Sequence, residues 1–330
     1  MPHSNYFVVK AKDNHELGLA LGLQFGDLLR QYLGKVSKSK DWGERVAAGL
    51  PYLTFAETAF PQYIQELKGY AEGANVPSEE LWVLSLGDDL QKNTSLGRCT
   101  SVVTNQGKLI AHNEDWPGGS KEDICVLKKT VGNITIFELY YYWEALGGSA
   151  ASINSCGYIQ LVNSLNHSDS QIGIPRGIIA RWLSETVNPD EDLEKLSGLR
   201  RSRGYSHTLV SRSGEIWNVE CTAKEQVLGR PKIPFVHTNH YLTGLSRDDV
   251  GKRMCGTAER YNFATKNVRG RMSQEEMIKL MSDQSLGPDL SVLNERTIGR
   301  LIIDLEQRVA KVWLKREAEK DWVNYPLDFI

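Results

Sequence analysis

The turn Asn105-Gln106-Gly107 constrains this chain more than any other short stretch. It joins two β-prone runs, Cys99-Thr100-Ser101-Val102-Val103 and Lys108-Leu109-Ile110-Ala111. Two such runs around an Asn/Gln/Gly turn read as a hairpin. A hairpin sets the start of one strand beside the end of the other. Cys99 is therefore expected to neighbour His112-Asn113-Glu114-Asp115-Trp116. A thiol among carboxylates and amides suits covalent catalysis. The pattern points to an amide-bond enzyme whose nucleophile becomes a new chain terminus.

The chain changes character at Cys99. Upstream, helical periodicity dominates. Leu17, Leu21, Leu28 and Leu29 fall on helical spacing, and Gly18, Gly22 and Gly26 recur every four residues, a row that admits another element close to the helix backbone. Gln24, Asp27 and Arg30 mark this as a soluble packing helix and not a membrane one. A second helix carries Ile64, Leu67 and Ala71 and stops near Gly73-Ala74-Asn75. A third follows Pro77-Ser78, with Ser78 as its cap and Glu79 and Glu80 in the positive first turn. The polar stretch from Gln91 to Gly97 reads as an exposed linker.

Downstream, strands take over. Hairpins are expected from Cys125 to Thr130 with Ile134 to Tyr142, from Ser149 to Asn154 with Tyr158 to Asn163, and from Ser206 to Ser211 with Glu215 to Cys221. Helices are expected from Arg176 to Ser184, from Asp248 to about Lys266, and after the capping box Ser273/Glu276. Arg300 to Leu305 and Arg308 to Leu314 close the chain as strands. Many antiparallel hairpins with helices between them suggest an α+β layered sandwich.

Composition narrows the function classes. A net charge of −2 over 330 residues gives no basic footprint for nucleic acid. No apolar run approaches the length of a membrane span. The N-terminus lacks the basic-then-apolar order of a signal peptide. Five cysteines are scattered, odd in number and never in a Cys-x-x-Cys pair, which is the usage of a reducing compartment, so a cytoplasmic location is expected.

Five stretches together carry a family resemblance: Tyr63 to Leu90, Cys99 to Trp116, Ile153 to Leu165, His237 to Leu242 and Thr257 to Tyr261. In this order they resemble the acyl-CoA:isopenicillin N acyltransferase-like family of N-terminal nucleophile hydrolases. The resemblance implies a four-layer αββα sandwich of antiparallel sheets formed by residues 1–330 as a single domain. It also implies self-cleavage of the Arg98–Cys99 bond, giving a helical N-terminal chain of residues 1–98 and a nucleophile-bearing chain of residues 99–330. Cys99 would then carry a free α-amine, which titrates near pH ~8 and can serve as base for its own thiol. By the same resemblance Asp115 orients that amine or holds the site, Asn239 supplies an oxyanion donor, and Asn154, His112 and Arg260 contribute to the oxyanion or substrate pocket. Two positions depart from the family pattern: related bile-salt hydrolases carry an arginine at His112, and several relatives carry a small or acidic residue at Arg98.

The implied substrate is a small-molecule amide or thioester, specifically a small N-acyl amine or acylated amino acid. The reasoning rests on aromatic residues near the site strands, Trp116, Tyr140, Tyr141, Tyr142, Trp143 and Tyr241, which suggest an aromatic, charge-poor pocket. Water or an amine can resolve the thioester, so an acyltransferase is the alternative to a hydrolase, and an inactive ligand-binding homologue is a third reading. No cofactor and no metal are expected, because a zinc site from His237 and His240 with Cys221 or Asp115 has loose spacing and no fourth ligand nearby. The expected partners are the two chains of one precursor, with no nucleic acid and no membrane, and a homo-oligomer is left open.

Overall fold

The computed structural model describes residues 1–90, 98–116, 120–248 and 256–330. The linker reading of Gln91 to Gly97 therefore lies outside the described residues, as does Cys255. Two sheets hold the described strands. The larger runs β1 (Tyr6–Ala11), β4 (Ile124–Val131), β5 (Ile134–Tyr141), β6 (Ala151–Asn154), β7 (Tyr158–Ser164), β8 (Tyr205–Ser211), β9 (Ile216–Cys221) and β10 (Gln226–Gly229). The smaller runs β11 (Phe235–His237), β2 (Arg98–Thr104), β3 (Leu109–Asp115), β12 (Thr297–Asp304), β13 (Val309–Leu314) and β14 (Val323–Pro326). Neighbours are antiparallel except β1 and β4, which pair in parallel, a correction to the expectation of wholly antiparallel sheets. β1 also means that the segment before Cys99 is not purely helical.

Alternation along the hairpin shows how the layers stack. Val103 and Ile110 share a core with Leu301, Ile303 and the larger sheet's Ile153, Leu161 and Leu209. Val102, Ala111 and Ile302 instead pack with Ala264, Met277 and Met281 of α7 (Thr257–Asn267) and α8 (Gln274–Met281). One face of the smaller sheet thus meets the larger sheet, and the other meets helices. On the larger sheet's far side, α1 (Asn14–Val36) packs on α3 (Pro61–Ala74), joined by α2 (Trp42–Ala59), α4 (Ser78–Leu86), α5 (Arg176–Leu183) and α6 (Pro189–Ser197). The result is the four-layer αββα arrangement.

The glycine row does what its spacing suggests. A Cβ on Gly18 or Gly22 would collide with the carbonyl oxygens of Glu66 and Tyr70 on α3, and one on Gly69 or Gly73 would collide with α1. Leu28 falls outside this seam, 38% exposed. Arg181 of α5 bonds Glu66 of α3 at 3.0 Å with both side chains wholly buried, and Asn14 of α1 donates to the same carboxylate at 2.7 Å. Ser78 begins α4 but makes no capping bond, and α2 was unforeseen; of the helix expected from Asp248 to about Lys266, residues 249–255 lie outside the described residues and α7 covers Thr257–Asn267. The capping box of Ser273 and Glu276 is formed.

Candidate active site

The hairpin register is Cys99↔Glu114, Thr100↔Asn113 and Ser101↔His112. Because side chains alternate along a strand, Cys99, Ser101, His112 and Glu114 share the face toward the larger sheet, with Val103 and Ile110. Thr100, Asn113 and Asp115 share the face toward the helices. The two faces carry different polar networks, and Cys99 belongs to both, through its side chain on one and its backbone on the other.

On the inner face Cys99, 3% exposed, directs Sγ at Glu114 Oε2 across 3.5 Å. The same oxygen lies 2.8 Å from His112 Nε2, and Glu114 Oε1 accepts from the Tyr141 hydroxyl at 2.9 Å. His112 Nδ1 meets Ser101 Oγ at 3.0 Å, and Ser101 donates to Asn163 Oδ1 at 2.8 Å. The Nδ2 of Asn163 is buried without a partner. An unpaired buried donor is costly, so its place on a side chain bonded to Ser101, two residues along β2 from Cys99, is informative.

On the outer face Arg260, wholly buried, donates to the Cys99 carbonyl at 2.7 Å, to Thr100 Oγ1 at 2.8 Å and to Asn239 Oδ1 at 3.0 Å. Asn239 Oδ1 also accepts the Cys99 N–H at 2.8 Å, while its Nδ2 donates to Ser164 O at 3.1 Å. Asp115 accepts from Thr297 Oγ1 at 2.6 Å and Asn294 Nδ2 at 2.8 Å and lies 3.7 Å from Arg260. These bonds grip the backbone of Cys99 from both its N–H and its C=O.

Burial sets the electrostatics. It pushes the Cys99 thiol well above its ordinary range, Glu114 and then Asp115 push further, and Arg260 opposes them. Burial also raises Asp115, against the pull of Arg260, Thr297 and Asn294. It lowers Arg260, which Asp115 counteracts. The thiol is therefore held neutral until a base and a positive charge are supplied.

The expected site residues divide clearly. Cys99, His112, Asp115, Asn239 and Arg260 converge on one hairpin, and the backbone of Arg98 leads into it. Asn154 does not join them. It sits at the far end of β7 from Asn163, donating to Ser184 O and Thr186 O and accepting from the N–H groups of Cys156 and Tyr158. Its amide is consumed in tying the β6–β7 turn to the end of α5. The zinc reading of His237 and His240 has no geometry behind it, for His237 pairs with Glu220 at 2.8 Å and His240 meets the Thr238 and Thr257 hydroxyls. Ser101 and Asn163 are absent from the sequence-derived candidates, and Glu114 and Tyr141 enter there only as neighbours without a role. Register counted from the turn finds Glu114 and Ser101, but nothing local finds Tyr141 or Asn163.

Beyond Tyr141, aromatic rings continue outward. Trp116, Tyr141 and Trp143 stand with ring centroids 5.5–5.8 Å apart. Trp116 and Trp143 border a small pocket of about 30 Å³ that also meets Asp89, Glu144, Arg176 and Tyr205. Acidic and basic groups stand beside the rings in this lining. No helix among the described residues is long and apolar enough to cross a membrane.

The sequence model of the acyl-coenzyme A:6-aminopenicillanic acid acyl-transferase family matches residues 102–319. A β-alanyl-dopamine/carcinine hydrolase of Drosophila melanogaster is 26% identical, across 93% of this chain and 92% of that protein. Among solved structures, a mutant of the conjugated bile acid hydrolase of Clostridium perfringens superposes with a TM-score of 0.46 at 12% identity, covering 70% of this chain and 92% of the other. Penicillin V acylase of Agrobacterium tumefaciens gives 0.41 at 14% identity, covering 66% and 83%.

Proposed function

Because the chain belongs to the acyl-coenzyme A:6-aminopenicillanic acid acyl-transferase family, we propose that it hydrolyses the amide bond of a small N-acyl amine through a thioester on Cys99. The observation that carries this reading is the two-sided grip on Cys99: backbone N–H on Asn239 and carbonyl on Arg260, with the thiol directed to the opposite face. In the reaction, Cys99 is freed at its amino end by attack of Sγ on the Arg98 carbonyl, transfer of the acyl group from nitrogen to sulfur, and hydrolysis of that thioester. The N–H now held by Asn239 becomes an α-amine, and residues 1–98 remain bound through β1 and the Arg181–Glu66 clamp.

The amine titrates near pH ~8 and takes the thiol proton as Sγ attacks the substrate carbonyl. The tetrahedral oxyanion needs donors set in advance. Asn163 Nδ2, buried and unpartnered, suits that task, whereas the Nδ2 of Asn239 is engaged with Ser164. The leaving amine departs with the proton, and water, activated by the same α-amine, releases the acid from Cys99.

For the substrate, the β-alanyl amides named for the Drosophila relative match in chemistry the groups beside Trp116. A β-alanyl group carries a primary ammonium that Asp89 or Glu144 would favour, and an aromatic amine would rest on Trp116 and Trp143. The four described cysteines are free, which supports a reducing, cytoplasmic setting. The family's acyl-transferase description favours one second reading, in which an added amine resolves the thioester.

The test is incubation of the purified chain with β-alanyl and simple N-acyl amides of dopamine and histamine, followed by mass analysis of Cys99. An acyl group on Cys99 and release of free amine are expected, with the Cys99→Ala protein inert. Release on long peptides only, or acylation at another cysteine, would defeat the reading. Faster loss of the acyl group to amines than to water would move it to acyl transfer.

A further inference from the structure

Glu114 has no direct task in the hydrolysis proposed above, yet it is buried beside the nucleophile. Cys99 Sγ, His112 Nε2 and Glu114 Oε2 lie within 4.8 Å of one another, the one grouping of three such donors among the described residues. A tetrahedral zinc ion with bonds of ~2.3 Å to sulfur and ~2.0–2.2 Å to nitrogen and oxygen sets its sulfur and oxygen donors about 3.6 Å apart, and its nitrogen and oxygen donors about 3.4 Å apart. Sγ and Oε2 already stand 3.5 Å apart. The His112 ring stands 2.8 Å from Oε2, about 0.6 Å short of that spacing, and must also settle about 3.6 Å from Sγ, from which it lies within 4.8 Å.

The far atoms of the donors are also braced. His112 Nδ1 meets Ser101 Oγ at 3.0 Å, and Glu114 Oε1 accepts from Tyr141 at 2.9 Å. Contacts of this kind orient the ring and the carboxylate at protein metal centres. Charge points the same way. A thiolate beside a carboxylate puts two negative charges in a buried site, and a divalent cation compensates both.

We propose that Cys99, His112 and Glu114 form a zinc site whose occupancy ties up the nucleophile and holds the protein inactive. Three protein donors leave a fourth position open. As the Zn–S bond forms, the thiol proton passes to solvent, so binding weakens as pH falls. With its electron pair on zinc, Sγ attacks neither a substrate amide nor the Arg98 carbonyl, and removal of the metal restores both reactions.

Zinc is titrated into the chelator-treated full chain, and cobalt(II) is added in parallel. One ion per chain, a thiolate-to-cobalt charge-transfer band, and protection of Cys99 from iodoacetamide, read by peptide mass, are expected. Cys156→Ser, which alters the exposed cysteine, leaves all three unchanged. Cys99→Ala abolishes the band, and His112→Gln and Glu114→Gln each weaken binding roughly tenfold or more with native circular dichroism. Loss of the band in Cys156→Ser, undiminished affinity in both His112→Gln and Glu114→Gln, or no stoichiometric binding would overturn the site. If either of those variants does not fold, protection of Cys99 in the unaltered chain decides, and an unprotected Cys99 at saturating zinc ends the proposal. None of these readouts uses turnover, so failure to hydrolyse amides would sink the proposed function and leave the zinc site intact.

Discussion

Glu114 and Asp115 are adjacent carboxylates with opposite employment. Glu114 faces the larger sheet and touches the Cys99 thiol, His112 and Tyr141. Asp115 faces the helices and receives Thr297 and Asn294 beside Arg260. The first belongs to a face whose groups meet the reacting sulfur. The second belongs to a face whose groups fix the strand that carries it. One step along a strand separates chemistry from scaffold, because alternation sends consecutive side chains to different neighbours.

This contrast is open to four attacks, the largest first. Cys99→Ala should lower turnover by roughly 10⁶-fold, as loss of a nucleophile does, and should also leave the chain uncut on a denaturing gel, with melting nearly unchanged. A cut Cys99→Ala chain would show that the inner face is not where processing begins. Next, Asn163→Ala should cost about 10²–10³-fold in kcat with little change in KM, the usual loss for one oxyanion donor. A change confined to KM would instead place Asn163 in ground-state binding.

On the outer face, Asp115→Asn should act on stability before chemistry. It leaves Arg260 buried without its neighbouring charge, and breaking a buried pair typically costs about 3–5 kcal/mol. The separation of 3.7 Å and the continuing bonds of Arg260 to Cys99, Thr100 and Asn239 favour about 3 kcal/mol, the lower end of that range, measured by urea unfolding. Equal stability of Asp115→Asn and the unaltered chain would dissolve the division between the faces.

The smallest effect concerns the thiol itself. Negative neighbours disfavour thiolate, so removing one lowers the pKa and speeds alkylation at a given pH. Glu114 outweighs Asp115 in raising Cys99. Glu114→Gln should therefore accelerate iodoacetamide labelling of Cys99 at neutral pH several-fold, and shift the rise of rate with pH to lower pH. Asp115→Asn should do so less. Equal labelling profiles would mean that burial alone holds the thiol up.

The same contrast explains what was readable in advance. The turn chemistry of Asn105-Gln106-Gly107, all three with positive φ, and the β-prone runs around it are local, so the hairpin and its register were accessible. The capping box of α8 and the glycine row of α1 were accessible for the same reason. The faces were not. Every residue of β3 is buried, as is every residue of β8 and β9. A strand covered on both sides shows no alternation of polar and apolar residues to read. For this reason Glu114 and Asp115 looked equivalent, and Asp115 alone was chosen through the family resemblance. The family resemblance points to Asn154, but the β6–β7 turn beside it consumes its amide.

From residue order alone came the helical leader, the hairpins and the placing of a thiol beside carboxylates. Each of these depends on backbone preferences and spacings within a few residues; Asn239 and Arg260 came only through the family resemblance. The assembled fold alone settled which side of the hairpin meets the other sheet, and hence which groups reach sulfur and which reach backbone. It also joined Cys99 to partners 140 and 161 positions away, Asn239 and Arg260. Those contacts arise when two sheets and two helical layers close on one another, and no short-range preference encodes where distant strands meet.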